Sequence, residues 1–227
     1  MTLLQHKYDY KRLIKEDGGA NGRCYVTPDS ERLASVTTIL DRTKPLENKI
    51  ALANWRKRIG TDKAQTITTE AASRGTSMHK QLENYMRGSN APPGGNMVHQ
   101  HAYKMAQVII KEYLMPNVPE VWGLETQLYY PGLYAGTTDA VGLWNGVPSI
   151  LDFKQTNKPK KEEWVTDYKL QLCAYAHAHN KMYETNIRQG VIIMCSQDLA
   201  PQHWVIGEKD FDYWSDKWWA RVKEFYS

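Results

Sequence analysis

The chain of 227 residues contains few cysteines, and none of them lies close to another in sequence. Cys24, Cys173 and Cys195 are far apart, and no Cys-x-x-Cys motif occurs. This spacing argues against a zinc ribbon and a disulfide scaffold, and it favours buried thiols in a reducing compartment. Three cysteines also cannot supply the four thiolates of a typical iron–sulfur cluster, so we expect no such cluster.

The sequence also lacks long apolar runs and a recognisable targeting segment. No apolar stretch approaches the roughly 20 residues of a membrane-spanning helix, so no membrane partner is expected. The N-terminal segment MTLLQHKYDYKRL has neither the apolar core of a signal peptide nor a clear Arg/Ser-rich transit character. These absences predict a cytoplasmic location.

The composition predicts a folded chain with a mild positive charge. Hydrophobic residues make up 41% of the chain and include 14 tyrosines and 8 tryptophans, which is ample for a core. The formal charge of +4 permits a polyanionic partner without requiring one. The length fits one fairly large domain, or one domain with a helical extension, and is compatible with a monomer.

The most informative stretch is Gly136–Lys154, which predicts two short strands joined by an Asn-Gly turn. Asp139 lies in the first strand, and Asp152 and Lys154 lie in the second. Because side chains alternate along a strand, Asp152 and Lys154 share one face while Phe153 points away. Two carboxylates and an ammonium in an apolar hairpin must pair or hold a metal to offset their desolvation. An isolated Asp-x-Lys is more often an exposed salt bridge, and that alternative stays open on this pattern alone.

Two predicted helices contribute further polar residues. Glu70–Met86 fits a helix on which His79 and Glu83 are four residues apart and therefore share a face. A segment without Gly or Pro, which follows a lysine-rich loop, fits a second helix with Gln171 and Tyr175 on one face. A single histidine on a helix is usually structural, so a ligand role is one of two interpretations of His79.

Two other segments allow both a functional and a structural interpretation. Ile50–Ile59 predicts a helix that carries Trp55 beside three basic residues, an arrangement that can bind single-stranded nucleic acid. A core position for Trp55 with a solvated basic face is the favoured alternative. The segment VWGLETQLYY predicts a strand, on which Glu125 is either functional or an ordinary residue of the outer face.

Taken in chain order, these residues resemble a known nuclease superfamily. An Asp in one strand (Asp139), an Asp-x-Lys in the next (Asp152 to Lys154) and a Gln-x-x-x-Tyr on the following helix resemble the PD-(D/E)xK nucleases, in particular their RecB-type exonuclease branch. The segment Arg74–Glu83 resembles the Gly-x-x-x-His-x-x-x-Glu helix of that branch. The resemblance is greatest to small phage and mitochondrial exonucleases that lack an iron–sulfur cluster.

The resemblance implies an α/β fold with a restriction-endonuclease-like core, in which helices flank a mixed central sheet, and a mainly helical N-terminal region. Residues 1–116 would carry the His79 helix and residues 117–227 the nuclease core, within one integrated domain. The implied function is a metal-dependent DNA exonuclease that prefers single-stranded ends, acting in a phage-infected or bacterial-type cytosol. The alternatives are a structure-specific or restriction-like endonuclease and a catalytically silent nucleic-acid-binding subunit.

The resemblance also implies a metal site for Mg²⁺ or Mn²⁺. The ligands would be the side chains of His79, Asp139 and Asp152 and the backbone carbonyl of Phe153. Glu83 would orient the imidazole. Because manganese accepts imidazole more readily than magnesium does, we expect Mn²⁺ to support activity at least as well as Mg²⁺.

The remaining candidates would act on water and DNA. Lys154 would position or deprotonate the attacking water, or stabilise developing negative charge. Glu125 occupies the place of a family acidic residue before the catalytic hairpin. Four residues would contact or orient the DNA strand: Arg74, Lys158, Gln171 and Tyr175.

Overall fold

Five strands form the central sheet of the computed structural model, which describes residues 3–89 and 91–227. In spatial and chain order they are β4 (Val121–Tyr130), β5 (Tyr134–Trp144), β6 (Val147–Thr156), β7 (Gly190–Ser196) and β8 (Pro201–Ile206). All neighbours are antiparallel except β6 and β7, which are parallel. Asn145 and Gly146 both have positive φ, as a two-residue hairpin turn between β5 and β6 requires. The prediction of a mixed sheet with the hairpin at its centre is confirmed.

One face of the sheet is covered by the helix that makes the parallel crossover. Helix α6 (Thr166–Tyr183) connects β6 to β7 and is buried on most of its surface, because α7 (Glu208–Tyr226) packs over it. The sequence predicts a core-facing helical stripe of Phe211, Trp214, Trp218, Val222 and Phe225. In α7, Phe211, Trp218 and Val222 are buried in this core, and Trp214 and Phe225 pack against it half-buried. A glutamate in the left-handed conformation, Glu184, ends α6.

Two helices from the first half of the chain cover the opposite face. Helices α3 (Thr61–Met86) and α4 (Met97–Ile109) pack together and bury a core with the inner side chains of the sheet. The sequence predicts a helix over His99–Leu114 that ends before Pro116, and this end is wrong. The chain continues through a π-helical turn (Ile110–Leu114) into the short helix α5 (Met115–Asn117), which contains Pro116.

The first half of the chain also forms a small sheet. Strands β1 (Ile14–Asp17), β2 (Arg23–Val26) and β3 (Arg32–Ala34) are antiparallel and precede α1 (Val36–Arg42). The sequence predicts a short strand around Arg23–Thr27, which matches β2, whereas the segments of β1 and β3 each hold a single apolar side chain or a short mixed run and show no alternating pattern. Ser35, which precedes the segment VTTIL, is a predicted helix N-cap, and this is confirmed because its hydroxyl accepts from the Thr38 N–H at 3.0 Å.

Helix α2 (Leu46–Ile59) differs from the favoured prediction. It buries no residue, and Trp55 is only partly buried, so the core position expected for Trp55 is wrong. Leu46 and Ile50 are exposed on the same helix. A helix without a buried face is stabilised by little tertiary packing, which leaves α2 free to contact another molecule.

The three cysteines are free and buried. In residues 3–89 and 91–227, no helix has both the length and the apolar character that crossing a bilayer requires.

Burial of His179 is expected to lower the free energy of unfolding at acidic pH. Its ring is fully buried, lies 3.0 Å from the Tyr10 hydroxyl and 2.8 Å from the Thr185 hydroxyl, and burial lowers its pKa to about 4. The unfolded chain therefore binds a proton more readily between pH 6.5 and 4, and stability falls as pH falls through this window. We expect the wild type to lose about 2 kcal/mol more than His179→Gln between pH 7 and 4.5 in urea denaturation. Equal losses in both proteins would contradict this account.

Candidate active site

The central hairpin opens at the position of its two aspartates. Strands β5 and β6 pair from Trp144 and Val147 as far as Ala140 and Leu151, and beyond this point β5 continues against β4 and β6 against β7. Asp139 and Asp152 are the next residues of the two strands. The Asp139 carboxylate accepts a hydrogen bond from the Phe153 N–H at 2.6 Å. Because β5 and β6 have separated here, this N–H has no backbone acceptor on β5, and the carboxylate takes that place.

His79 reaches this opening from α3. Its Nδ1 lies 3.3 Å from Asp139 Oδ1, and its ring makes an edge contact with Phe153 at a centroid distance of 6.3 Å. Burial lowers the pKa of His79, but the charge and hydrogen bond of Asp139 outweigh burial and raise it. In the same way, burial acts to raise the pKa of Asp139, and the opposing effects of His79 and Lys154 leave it lowered.

Glu125 joins these two residues from β4. The pairs Leu124–Ala140 and Thr126–Thr138 place Glu125 opposite Asp139, so their side chains share a face. Glu125 has a φ of 50°, a left-handed conformation that is unusual for a residue other than glycine. Glu125 is exposed, but the protein groups around its carboxyl group displace part of its hydration, and this desolvation, followed by the charge of Asp139, raises its pKa.

His79, Glu125 and Asp139 form a group that fits a divalent cation. One ligand atom from each lies within 4.8 Å of the others. Ligands bound at about 2.1 Å on opposite sides of one ion are about 4.2 Å apart, so small side-chain movements bring all three onto the same cation. Two carboxylates and an imidazole are a donor set suited to manganese and compatible with magnesium.

Asp152 lies outside this three-residue group, which differs from the metal set expected from the sequence. It is 2% exposed, and its Oδ2 lies 2.6 Å from Lys154 Nζ. No other hydrogen-bond donor among the described residues reaches this oxygen. A buried carboxylate requires a compensating charge, which Lys154 supplies. Burial, opposed by Lys154 and reinforced by Asp139, raises the pKa of Asp152 to about 6.

The Lys154 ammonium is held on two sides. Besides Asp152, it lies 5.0 Å from the centre of the Tyr168 ring. Burial lowers the pKa of Lys154, but the charges of Asp152 and Asp139 outweigh it and raise the pKa. Tyr168 was not among the site residues predicted from the sequence. Its position three residues before Gln171 and seven before Tyr175 places it on the same helical face, which is the signal that could have found it.

Gln171 and Tyr175 form one wall beside the site. Gln171 Nε2 donates to the Tyr175 hydroxyl at 3.1 Å, and both side chains are buried. The Tyr175 ring packs against Gly136, where an added Cβ would lie only 2.6 Å from the ring, so β5 needs glycine here. The hydrogen bond thus joins Gln171 to Tyr175, whereas Lys154 is supported by Asp152 and Tyr168.

Arg74 has a different environment from the one expected of a phosphate ligand. It is 4% exposed, and it donates to Gln155 Oε1 at 2.9 Å and to Asn157 Oδ1 at 2.5 Å. Gln155 in turn donates to the Ala71 carbonyl at 2.9 Å. These bonds connect the end of β6 and the loop that follows it to α3, which favours a supporting role for Arg74. Lys158, on the loop after β6, is exposed.

Two further expectations concern groups near His79. Glu83 pairs with Lys80 at 3.0 Å and Arg87 at 2.9 Å, so it is engaged on the helix surface rather than with the imidazole. The role of the Phe153 carbonyl as a metal ligand stays a prediction. The Phe153 N–H faces Asp139, and a residue in an extended strand directs its N–H and carbonyl to the same side.

The strained backbone at Glu125 predicts a separation of metal binding from stability. Glu125→Gly and Glu125→Ala both remove a carboxylate from the group formed by His79, Glu125 and Asp139, and each is expected to weaken the binding of Mn²⁺ at least about tenfold. Glycine adopts positive φ without a Cβ penalty, so the Gly variant should be more stable than the Ala variant by about 1 kcal/mol. Urea denaturation in EDTA measures the difference. An Ala variant as stable as the Gly variant would show that the backbone at position 125 is not strained.

No protein-family model matches the chain. Mitochondrial genome maintenance exonuclease 1 of Mus musculus is 28% identical over 203 residues, which cover 85% of this chain and 59% of the mouse protein. The Homo sapiens protein of the same name is 26% identical over 203 residues, covering 85% of this chain and 58% of the human protein. The chain therefore spans less than two thirds of the length of these relatives.

Solved structures show weaker similarity. A Eubacterium rectale protein proposed to be an exonuclease aligns with a TM-score of 0.48 and 14% identity, over 68% of this chain and 64% of that chain. An alkaline exonuclease from Laribacter hongkongensis aligns with a TM-score of 0.31 and 11% identity, over 66% of this chain and 79% of that chain. Both TM-scores are below 0.5 and establish no shared fold. In sequence, over most of its length, the chain is similar to proteins named as exonucleases.

Proposed function

We propose that this protein is a divalent-metal-dependent DNA exonuclease of the PD-(D/E)xK type that prefers single-stranded ends. The observation that carries the proposal is the convergence of His79, Glu125 and Asp139 beside the buried Asp152–Lys154 pair. Two carboxylates and an imidazole around one small space are unfavourable for binding a polyanion unless a cation joins them. A silent nucleic-acid-binding subunit would have no need of this arrangement.

The residues of the site would have separate roles in phosphodiester hydrolysis. A divalent cation held by His79, Glu125 and Asp139 would act as a Lewis acid on the phosphate and lower the pKa of water. Asp139 also accepts a hydrogen bond from the Phe153 N–H, which fixes the position of β6 relative to the three metal-ligand side chains. Because β6 carries Lys154, this contact sets the distance between the cation site and the ammonium.

Lys154 supplies positive charge where negative charge develops on the phosphate. Its raised pKa keeps it protonated at neutral pH, which favours charge stabilisation over proton abstraction from water. Asp152 orients the ammonium from one side and the Tyr168 ring from the other. A preorganised charge of this kind needs no rearrangement during the reaction.

The proposed preference for single strands rests on helix α2. Helix α2 buries none of its residues, and it carries the partly exposed Trp55 beside Arg56, Lys57 and Arg58. Basic side chains contact phosphates and aromatic rings stack on bases, so such a helix is suited to a flexible strand.

Degradation of labelled oligonucleotides tests the proposal. Linear single and double strands carrying a 5′ or 3′ label are incubated with Mg²⁺, Mn²⁺ or EDTA, beside a closed single-stranded circle and an Asp152→Asn variant. We expect progressive shortening of linear single strands, at least as fast with Mn²⁺ as with Mg²⁺, and no reaction in EDTA, with the variant or on the circle. Cleavage of the circle would indicate an endonuclease. Retention of intact DNA with every metal would indicate a binding protein.

A further inference from the structure

The inner face of the small sheet is directed at the candidate active site. Lys15 pairs with Tyr25, and Arg23 is two residues from Tyr25 on β2, so the three side chains lie on one face. The Tyr25 hydroxyl lies 3.0 Å from the Thr137 hydroxyl of β5, and Leu33 packs on the same side. The small sheet is thereby fixed against the strand that carries Asp139.

A cavity of about 210 Å³ lies between this face and the active site. Its walls on the side of the small sheet and α1 include Lys15, Arg23 and Thr37, and those on the side of the central sheet and α6 include Glu125, Gln171 and Tyr175. Pockets for drug-sized ligands measure about 300 to 1,000 Å³, so this volume suits one small group. Glu125 belongs both to the cavity and to the metal-ligand group.

The cavity is positively charged on its outer side. Lys15 and Arg23 are exposed, and neither has a carboxylate within salt-bridge distance in the part of the chain that the structure describes. Asp17 pairs with Arg23 across the strands but does not line the cavity. Lys15 and Glu125 line the same cavity, so the Lys15 ammonium lies close to the candidate active site.

We propose that this cavity binds one phosphate group of the DNA strand, through Lys15 and Arg23, and so sets the position of the strand relative to the metal-ligand group. The inference rests on the proposed exonuclease function. The phosphate is either an internal phosphodiester next to the scissile one or a terminal phosphate, because both present the same anionic oxygens. Lys15 and Arg23 are positioning residues in this arrangement and do not touch the reacting atoms.

Salt dependence of degradation tests the inference. The kcat/KM of the full chain on a labelled single-stranded oligonucleotide is measured with Mn²⁺ from 50 to about 300 mM NaCl, for the wild type and for Lys15→Gln/Arg23→Gln. Each phosphate contact on a single strand contributes about 0.7 to the slope of log affinity against log salt. We expect the double variant to lose at least about tenfold in kcat/KM at low salt, mainly through KM, and its slope to fall by about 0.7, because one phosphate contact is lost.

The control is Arg32→Gln, which removes one positive charge from the outer face of the same sheet, where Arg32 pairs with Glu16. It should behave as the wild type. Substrates with a 5′-phosphate, a 3′-phosphate or hydroxyls at both ends distinguish the two sources of the phosphate. If the double variant loses kcat/KM only on the substrate with one of the terminal phosphates, the cavity binds the strand end. If it loses kcat/KM equally on all three substrates, the cavity binds an internal phosphodiester.

Three results would overturn the inference, and each has a different meaning. A double variant with wild-type kcat/KM and wild-type salt slope would refute the cavity as a phosphate site and leave the exonuclease intact. A wild type that degrades no DNA would refute the proposed function and the inference with it. A lower rate with an unchanged slope would indicate structural damage and also contradict the inference.

Discussion

Asp139→Asn is expected to lower the rate of single-strand degradation at least about a thousandfold. Asparagine keeps the shape of the side chain and can still accept the Phe153 N–H through its amide oxygen. It loses the negative charge that faces His79 at 3.3 Å and that would hold a cation. Asp139→Asn should therefore lower activity and leave the fold intact.

The measurement is the initial rate on a labelled oligonucleotide with saturating Mn²⁺. Asp216→Asn is the matched control, because Asp216 lies on the exposed side of α7 and undergoes the same chemical change. The control should retain the wild-type rate. An Asp139→Asn protein with more than a tenth of that rate would exclude Asp139 from the reaction.

Lys154→Met is expected to abolish activity and to destabilise the protein by about 3 kcal/mol at pH 8. The substitution leaves Asp152 buried without its compensating charge. Asp152 can relieve this by holding a proton in the folded state, so its pKa rises further. When the pKa of a carboxyl group is higher in the folded than in the unfolded state, the free energy of unfolding falls as pH rises. The destabilisation caused by Lys154→Met should therefore be smaller at pH 5 than at pH 8.

A double variant separates the structural and catalytic roles of this pair. Asp152→Asn/Lys154→Met removes both charges, so urea denaturation should recover most of the stability that Lys154→Met loses. Activity should stay absent because the ammonium is still missing. A double variant as unstable as the single one would show that the Asp152–Lys154 contact does not account for the loss, and an active Lys154→Met protein would remove Lys154 from the mechanism.

Residues that obey a local period were predictable from the sequence. The alternation along β6 placed Asp152 and Lys154 on one face, and the Asn-Gly turn fixed the hairpin that brings Asp139 beside them. The helical spacing of Gln171 and Tyr175 likewise predicted a shared face, on which the two side chains now form a hydrogen bond.

Features that depend on tertiary packing were not predictable. Glu125 was a candidate through the resemblance alone, since the alternating pattern of its strand equally allowed an ordinary outer-face position, and no local pattern signals its left-handed conformation. Arg74 was expected at the DNA, whereas in the structure it is buried and donates to Gln155 at the end of β6 and to Asn157 in the loop that follows. Trp55 was expected in the core, but α2 has no partner element that buries it.

Manganese binding tests the central claim most directly, because it does not depend on activity. Titration of the full chain with Mn²⁺ in the absence of DNA is followed by electron paramagnetic resonance, for the wild type, His79→Gln and Asp139→Asn. The geometry predicts a site in the wild type with nitrogen coupling from an imidazole, loss of that coupling in His79→Gln, and at least about tenfold weaker binding in Asp139→Asn. Equal binding in all three proteins, or no binding in the wild type, would contradict a metal centre at His79, Glu125 and Asp139.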